Sequence, residues 1–128
     1  MRVLLDTHAL LWWAHEPERL TETALETIAN EGNTVFVSAV SAMEIATKHR
    51  SGKLGYETPL SDSFLVSINV FGFEPLSINC AHAERAGNMK GDHKDPWDRL
   101  LAAQSEIERM PLVTLDKHMA DWNVRAIW

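Results

Sequence analysis

The chain has 128 residues, of which 45% are hydrophobic and 23% charged, a size and balance that suit one globular domain with its own core and exclude a disordered or fibrous protein. A formal net charge of −6 argues against a protein that holds nucleic acid mainly by bulk positive charge, although acids gathered around a divalent cation reverse the sign locally. Cys80 is the only cysteine, which excludes an internal disulfide and a thiolate zinc cluster and fits a reducing, cytoplasmic compartment.

The opening Met1–His8 segment resembles a signal peptide only briefly, because Asp6 and His8 interrupt the apolar run and no small-residue cleavage site follows. No stretch approaches the roughly 20 apolar residues that a membrane-spanning helix needs. Arg2–Leu5 reads as a short buried strand, and a helix begins over Leu10–Ala14 and ends near Pro17. A second helix is expected from about Pro17 to Asn30. After the turn at Glu31-Gly32-Asn33, the β-branched and aromatic run Thr34–Val37 is a second strand, and Ser38 caps a helix that reaches Arg50 and closes at Ser51-Gly52.

Leu60 to about Val70 is again helical in pattern, Glu74–Ser77 is a short strand, and a helix follows over about Asn79–Met89. A polar loop, Gly91–Lys94, leads to Asp95-Pro96, where Asp at the N-cap and Pro at the first helical position start a helix running to about Arg109. Pro111–Leu115 is the fourth strand, Asp116–Ala120 a short helix and Val124–Ile127 a last strand. Strands alternating with helices imply a parallel sheet covered on both faces, in a single domain spanning 1–128.

In such sheets the functional crevice lies beyond the carboxyl ends of the strands. Asp6 ends the first strand, Asp116 ends the fourth, Glu44 lies within two turns of the second, and Asp98 sits in the first turn of its helix. All four can therefore meet at one sheet edge. Singly, each has a plain structural explanation. Asp6 and Asp116 can cap helices, Glu44 can complete a capping box with Ser41, and Asp98 can favour the positive end of its helix. Jointly they favour a site, because Ser, Thr or Asn cap equally well whereas a hard cation demands carboxylate oxygen at several places. Crowded carboxylates cannot all stay ionised without a cation, and Mg²⁺ or Mn²⁺ held there would activate water for attack on phosphorus.

The segments Leu4-Leu5-Asp6-Thr7-His8, Val37 to Ile45, Asp95 to Gln104 and Leu112-Val113-Thr114-Leu115-Asp116 resemble those of PIN-domain ribonucleases, and specifically the VapC toxins of toxin–antitoxin modules. The resemblance spans nearly the whole chain at the family spacing. It implies a PIN-like three-layer α/β/α sandwich with a central parallel sheet, endonucleolytic cleavage of RNA dependent on Mg²⁺ or Mn²⁺, homodimerisation, and inhibition by a cognate VapB-type antitoxin. Carried over by motif, Asp6, Glu44, Asp98 and Asp116 are the catalytic and metal-binding acids. Asp95, Thr7 and Thr114 are candidates for a supporting shell, with N-capping as the plainer role for Asp95 and β-branched filling for the threonines.

Other residues are read conservatively. Arg99 points roughly 100° away from Asp98 on its helix, which favours an ion pair over phosphate contact. The five tryptophans are expected in the core or a subunit interface. The basic stretches Lys48, Arg50, Lys53 and Lys90, Lys94, Arg99 read first as solvated surface. The six histidines show no HxxxH or HExxH pattern, and the glycines around Lys53-Leu54 lack Walker spacing, so no nucleotide cofactor is expected. Leu10–Trp13 and the Leu60–Val70 helix are the expected partner or dimer faces.

Three alternatives compete. A haloacid-dehalogenase-type phosphatase needs a second Asp where His8 stands. A receiver domain wants paired acids after strand one and an Asp after strand three, where Ser77-Ile78-Asn79 supplies none. A catalytically silent PIN-fold binding module would usually have lost one of the acids, and here the set is intact.

Overall fold

The computed structural model describes residues 1–56, 60, 63–92 and 95–128. Its centre is β1 (Arg2–Leu5), whose Val3, Leu4 and Leu5 are all fully buried. Side chains alternate across a strand, so Val3 and Leu5 join one apolar cluster while Leu4 joins another on the opposite face. A strand buried on both sides belongs inside a parallel sheet.

The other strands are β2 (Thr34–Ser38), β3 (Glu74–Leu76), β4 (Leu112–Val113) and β5 (Ala126–Ile127). They form one sheet in the order β3-β2-β1-β4-β5, and every neighbouring pair is parallel. In register, Leu5 of β1 lies between Val37 of β2 and Val113 of β4. The connecting helices are α1 (Thr7–His15), α2 (Glu22–Ala29), α3 (Ala39–Arg50), α4 (Phe64–Val70), α5 (Cys80–Asn88) and α6 (Pro96–Glu108).

Helices cover both faces. Leu10 and Leu11 of α1, Ala24 and Ile28 of α2, and Ile68 of α4 pack with Val3, Leu5, Val35 and Val37. Ala86 of α5 and Leu101, Ala102 and Ala103 of α6 pack with Leu4 and Leu112 on the other side. The three-layer α/β/α arrangement follows directly. Burying a side chain such as Leu4, Leu10 or Leu101 contributes roughly 1.5–3 kcal/mol, so these two clusters dominate what holds the layers together.

Two expected features differ. The helix expected from Pro17 to Asn30 is broken into a 3-10 turn at Pro17–Arg19 and α2. Leu20 between them is extended and buried, and the Thr21 side chain accepts the Ala24 amide, so a hydroxyl cap starts a new helix where periodicity alone continued the old one. The apolar run Leu10–Trp13 is no partner face: Leu10, Leu11 and Trp12 are buried in the core and Trp13 is half-buried against Phe73. By contrast, α4 starts at Phe64 under a Ser63 cap and does expose Leu65, Val66 and Val70. Part of its expected first turn, 61–62, lies outside the described residues, as do His93 and Lys94. Among the described residues, no helix is long and apolar enough to cross a membrane.

Arg99 of α6 donates to the carbonyls of Ala86, Met89 and Gly91 and lies over the Trp122 ring. It thus joins the end of α5 and the following loop to α6, in place of the phosphate contact set aside from its helical position. His82 and Asn79 form a reciprocal capping box at the start of α5, and the buried Gln104 bridges Ser38, Ser77 and His82. These polar links fix the two helices that flank the sheet edge.

Candidate active site

All the acids but Glu44 sit at the cap or in the first turn of a helical element. Asp6 follows β1 and caps α1, its Oδ1 accepting the Ala9 amide at 2.7 Å. Asp116 follows β4 and caps a 3-10 turn over Lys117–Trp122, accepting the His118 amide at 2.9 Å. Asp95 caps α6, accepting the amides of Trp97 and Asp98. Because parallel strands all end at one edge, these caps gather there. Asp6, Glu44, Asp95, Asp98 and Asp116 line a single cavity of about 390 Å³.

Glu44 arrives from the second turn of α3 and is buried, and it accepts a hydrogen bond from the Lys48 ammonium one turn later. The capping-box explanation for it does not apply. Ser38, not Ser41, is the N-cap of α3, and the buried Ser41 hydroxyl is bonded instead to Thr7 at 2.9 Å. Thr7 thereby ties α1 to α3 and faces a neighbouring cavity rather than the acidic one. Thr114 joins two acids: its hydroxyl donates to Asp6 Oδ2 and accepts the Asp116 amide at 3.0 Å. Asp95 has the N-cap role expected of it, and it also lines the cavity.

Asp6 is the electrostatic focus. Burial pushes its carboxyl up to about 6, and the nearby Asp98 carboxylate pushes in the same direction. The Thr114 and Ala9 hydrogen bonds and the adjacent His8 oppose that rise without cancelling it. A buried carboxylate that repels its neighbour is relieved either by a proton or by a cation. The acidic donors are all oxygen, the chemistry of Mg²⁺ or Mn²⁺ rather than of a thiophilic metal. Among the described residues, however, no three His, Cys, Asp or Glu side chains are arranged to hold one ion together. The acids share a wall and not a single coordination point.

The rest of the wall is cationic and aromatic, supplied by His8, Trp12, Arg19 and Lys48. Arg19 was not legible as a site residue, since it lies in a 3-10 turn outside every segment that carries one of the cavity acids. Only the spacing of Glu44 and Lys48, one helical turn apart, offered a signal. The tryptophans follow the core expectation: Trp12 and Trp122 are buried, and Trp13, Trp97 and Trp128 pack against the two clusters. Among the histidines, His82 is a buried cap and His15 stacks on Tyr56, while His8 reaches the cavity. His93 and Lys94 lie outside the described residues.

Known proteins share this arrangement. Over 120 residues the chain is 28% identical to Ribonuclease VapC22 of Mycobacterium tuberculosis, covering 91% of this chain and 88% of that protein. The fold superimposes on VapBC2 from Rickettsia felis, solved bound to a DNA fragment from its promoter, with a TM-score of 0.69 and 19% identity over 98% of this chain and 97% of that one. It also superimposes on VapBC-1 from nontypeable Haemophilus influenzae, with a TM-score of 0.59 and 14% identity over 98% and 96% of the respective chains. The family model for the PIN domain matches residues 3–123, from the first buried strand to the turn after Asp116. With that match spanning nearly all of its length, the chain belongs to the PIN-domain family.

Proposed function

We propose that residues 1–128 act as one PIN domain that hydrolyses RNA endonucleolytically with Mg²⁺ or Mn²⁺, as the cytoplasmic toxin of a toxin–antitoxin module. The carrying observation is the cavity at the sheet edge walled by Asp6, Glu44, Asp95, Asp98 and Asp116. Similarity to a protein named as a ribonuclease, and to toxins solved with their antitoxins, supports the same reading.

Asp6, Glu44, Asp98 and Asp116 are the residues we assign to the metal. Mg²⁺ takes only one or two carboxylates directly and keeps several waters, so the other acids of the set would reach it through those waters. Bound there, the cation would acidify the attacking water and offset charge on the phosphate. The chain itself does the positioning. The Ala9 amide and Thr114 hydroxyl hold both oxygens of Asp6, and Thr114 fixes the start of the segment carrying Asp116. Lys48 places its ammonium against the buried Glu44 carboxylate and holds it one helical turn away.

A VapB-type antitoxin would restrain the enzyme, and the exposed Leu65, Val66 and Val70 of α4 are the apolar surface we assign to homodimer or antitoxin contact. The test is incubation of antitoxin-free protein with total RNA under EDTA, Mg²⁺ and Mn²⁺, with Asp98→Asn in parallel. Discrete metal-dependent fragments missing from the variant are expected. A folded Asp98→Asn protein with undiminished cleavage, or no cleavage by the parent under any condition, would overturn the assignment.

A further inference from the structure

Beside the acidic cavity lies a second one of about 340 Å³, between α1, the Pro17–Arg19 turn and the loop after α3. His8, Trp12, Arg19 and Lys48 line both, so the two are compartments of one groove. The second compartment has a different chemistry. Three cations, Arg19, Lys48 and Lys53, face it against one acid, Glu16. The whole chain has only 12 Lys and Arg against 18 Asp and Glu, so three cations on one small cavity reverse the charge seen elsewhere. Glu16 is itself engaged, accepting hydrogen bonds from Arg19 and from the Tyr56 hydroxyl.

The remaining wall is largely apolar: Leu54 and Tyr56 supply its half-buried part, while Leu11 and Trp12 are buried behind it and Arg19 lies 4.6 Å above the Trp12 ring. Cations next to aromatic and apolar surface are what single-stranded nucleic acid requires, phosphate for the charges and a base for the ring faces. A volume near 340 Å³ lies at the lower end of the roughly 300–1,000 Å³ range of small-ligand sites.

We propose that this compartment holds the nucleotide next to the scissile phosphate of single-stranded RNA, with Arg19 and Lys53 on its phosphate and the Leu54–Tyr56 wall against its base. This rests on the ribonuclease reading. It makes Arg19 and Lys53 substrate-binding residues, outside the acid set. Lys48, which faces both compartments while bonded to Glu44, marks the passage between them. An acidic peptide would satisfy the same cations but would not account for the continuity of this compartment with the cavity walled by the acids, which is why the groove favours RNA.

The test uses the full chain and a fluorescein-labelled, mixed-sequence RNA decanucleotide, with anisotropy read in EDTA across a salt series. Arg19→Ala and Lys53→Ala should each weaken binding about tenfold, and each should lower the salt slope by about 0.7, as expected for one lost phosphate contact on a single strand. In Mg²⁺ or Mn²⁺, both should raise KM with kcat within about twofold of the parent. Both side chains project at the surface, so their melting temperatures should stay near that of the parent. Parent-like affinity and salt slope in both variants, alongside cleavage by the parent, would overturn this subsite and leave the ribonuclease reading standing. A parent that neither binds nor cleaves RNA would overturn both. Retained RNA binding with lost binding of a labelled Asp/Glu-rich decapeptide would reassign the groove to a protein partner.

Discussion

Asp6→Asn should make the metal-free protein more stable at pH 8 and equally or less stable at pH 4.5. The folded carboxyl is raised from 3.8 to about 6, chiefly by burial. It therefore binds its proton more tightly in the folded state than in the unfolded one. The stability this provides is fully present below about pH 4, is lost as pH rises through about 6, and stays lost above. The rise corresponds to roughly 3 kcal/mol of destabilisation by the ionised carboxylate at pH 8. Asn removes that charge but gives Thr114 a poorer partner than a carboxylate, a cost of about 1–2 kcal/mol. The net gain at pH 8 is then about 1–2 kcal/mol, several degrees in Tm for a domain of this length. At pH 4.5 the folded carboxyl is already neutral and about 1 kcal/mol of the penalty remains, through the still ionised unfolded chain, so the cost equals or outweighs it. Thermal melts of both proteins in EDTA between pH 4.5 and 8 would measure the difference directly. A difference that does not change with pH, or a variant less stable at pH 8, would refute the electrostatic account of the site.

Three further outcomes are expected. Mg²⁺ or Mn²⁺ should raise the melting temperature of the parent more than that of Asp6→Asn or Asp98→Asn, since only binding to the folded state stabilises it; equal shifts in scanning fluorimetry would place the metal elsewhere. Thr114→Val keeps the side-chain shape but removes the bond to Asp6 and the acceptor for the Asp116 amide. It should cost about 1–3 kcal/mol in urea unfolding and reduce the metal-induced shift, and an unchanged midpoint would deny it a supporting role. Arg99→Ala strips the donors from three carbonyls around the end of α5. A loss of at least about 2 kcal/mol is expected by the same measurement, and a neutral result would show that the clamp on α5 contributes little.

The parts legible in the sequence were those with local chemistry. Asp95-Pro96 announced both the N-cap and the first turn of α6, Ser38 announced α3, and unbroken apolar runs announced strands buried on both faces. The acids were legible because Asp6, Asp95, Asp98 and Asp116 stand at the cap or in the first turn of a helical element and Glu44 one turn further along its helix, which a parallel sheet converts into proximity. What stayed hidden depended on contacts between distant segments. Leu10–Trp13 gives no sign of lying inside rather than outside until the sheet and α2 are placed around it. Arg19 and Lys53 come from separate loops and meet only because α1 and α3 end near each other. The break at Leu20-Thr21 did carry a signal, a hydroxyl ahead of a helical run, but it was outweighed by the continuing period.

The parallel sheet also sets when the site can come into being. β1 lies between β2 and β4, and β4 is made more than a hundred residues after it: the Thr114–Asp6 hydrogen bond spans 108 positions. Since synthesis runs from the N-terminus and long-range strand pairing is slow to form, a nascent chain has Asp6 and Glu44 from early on without the strand that completes their edge. On the proposed ribonuclease reading, hydrolytic competence would thus be confined to chains on which Thr114 and Asp116 have already been made, and a truncated or stalled translation product would carry the first half of the acidic wall without its activity.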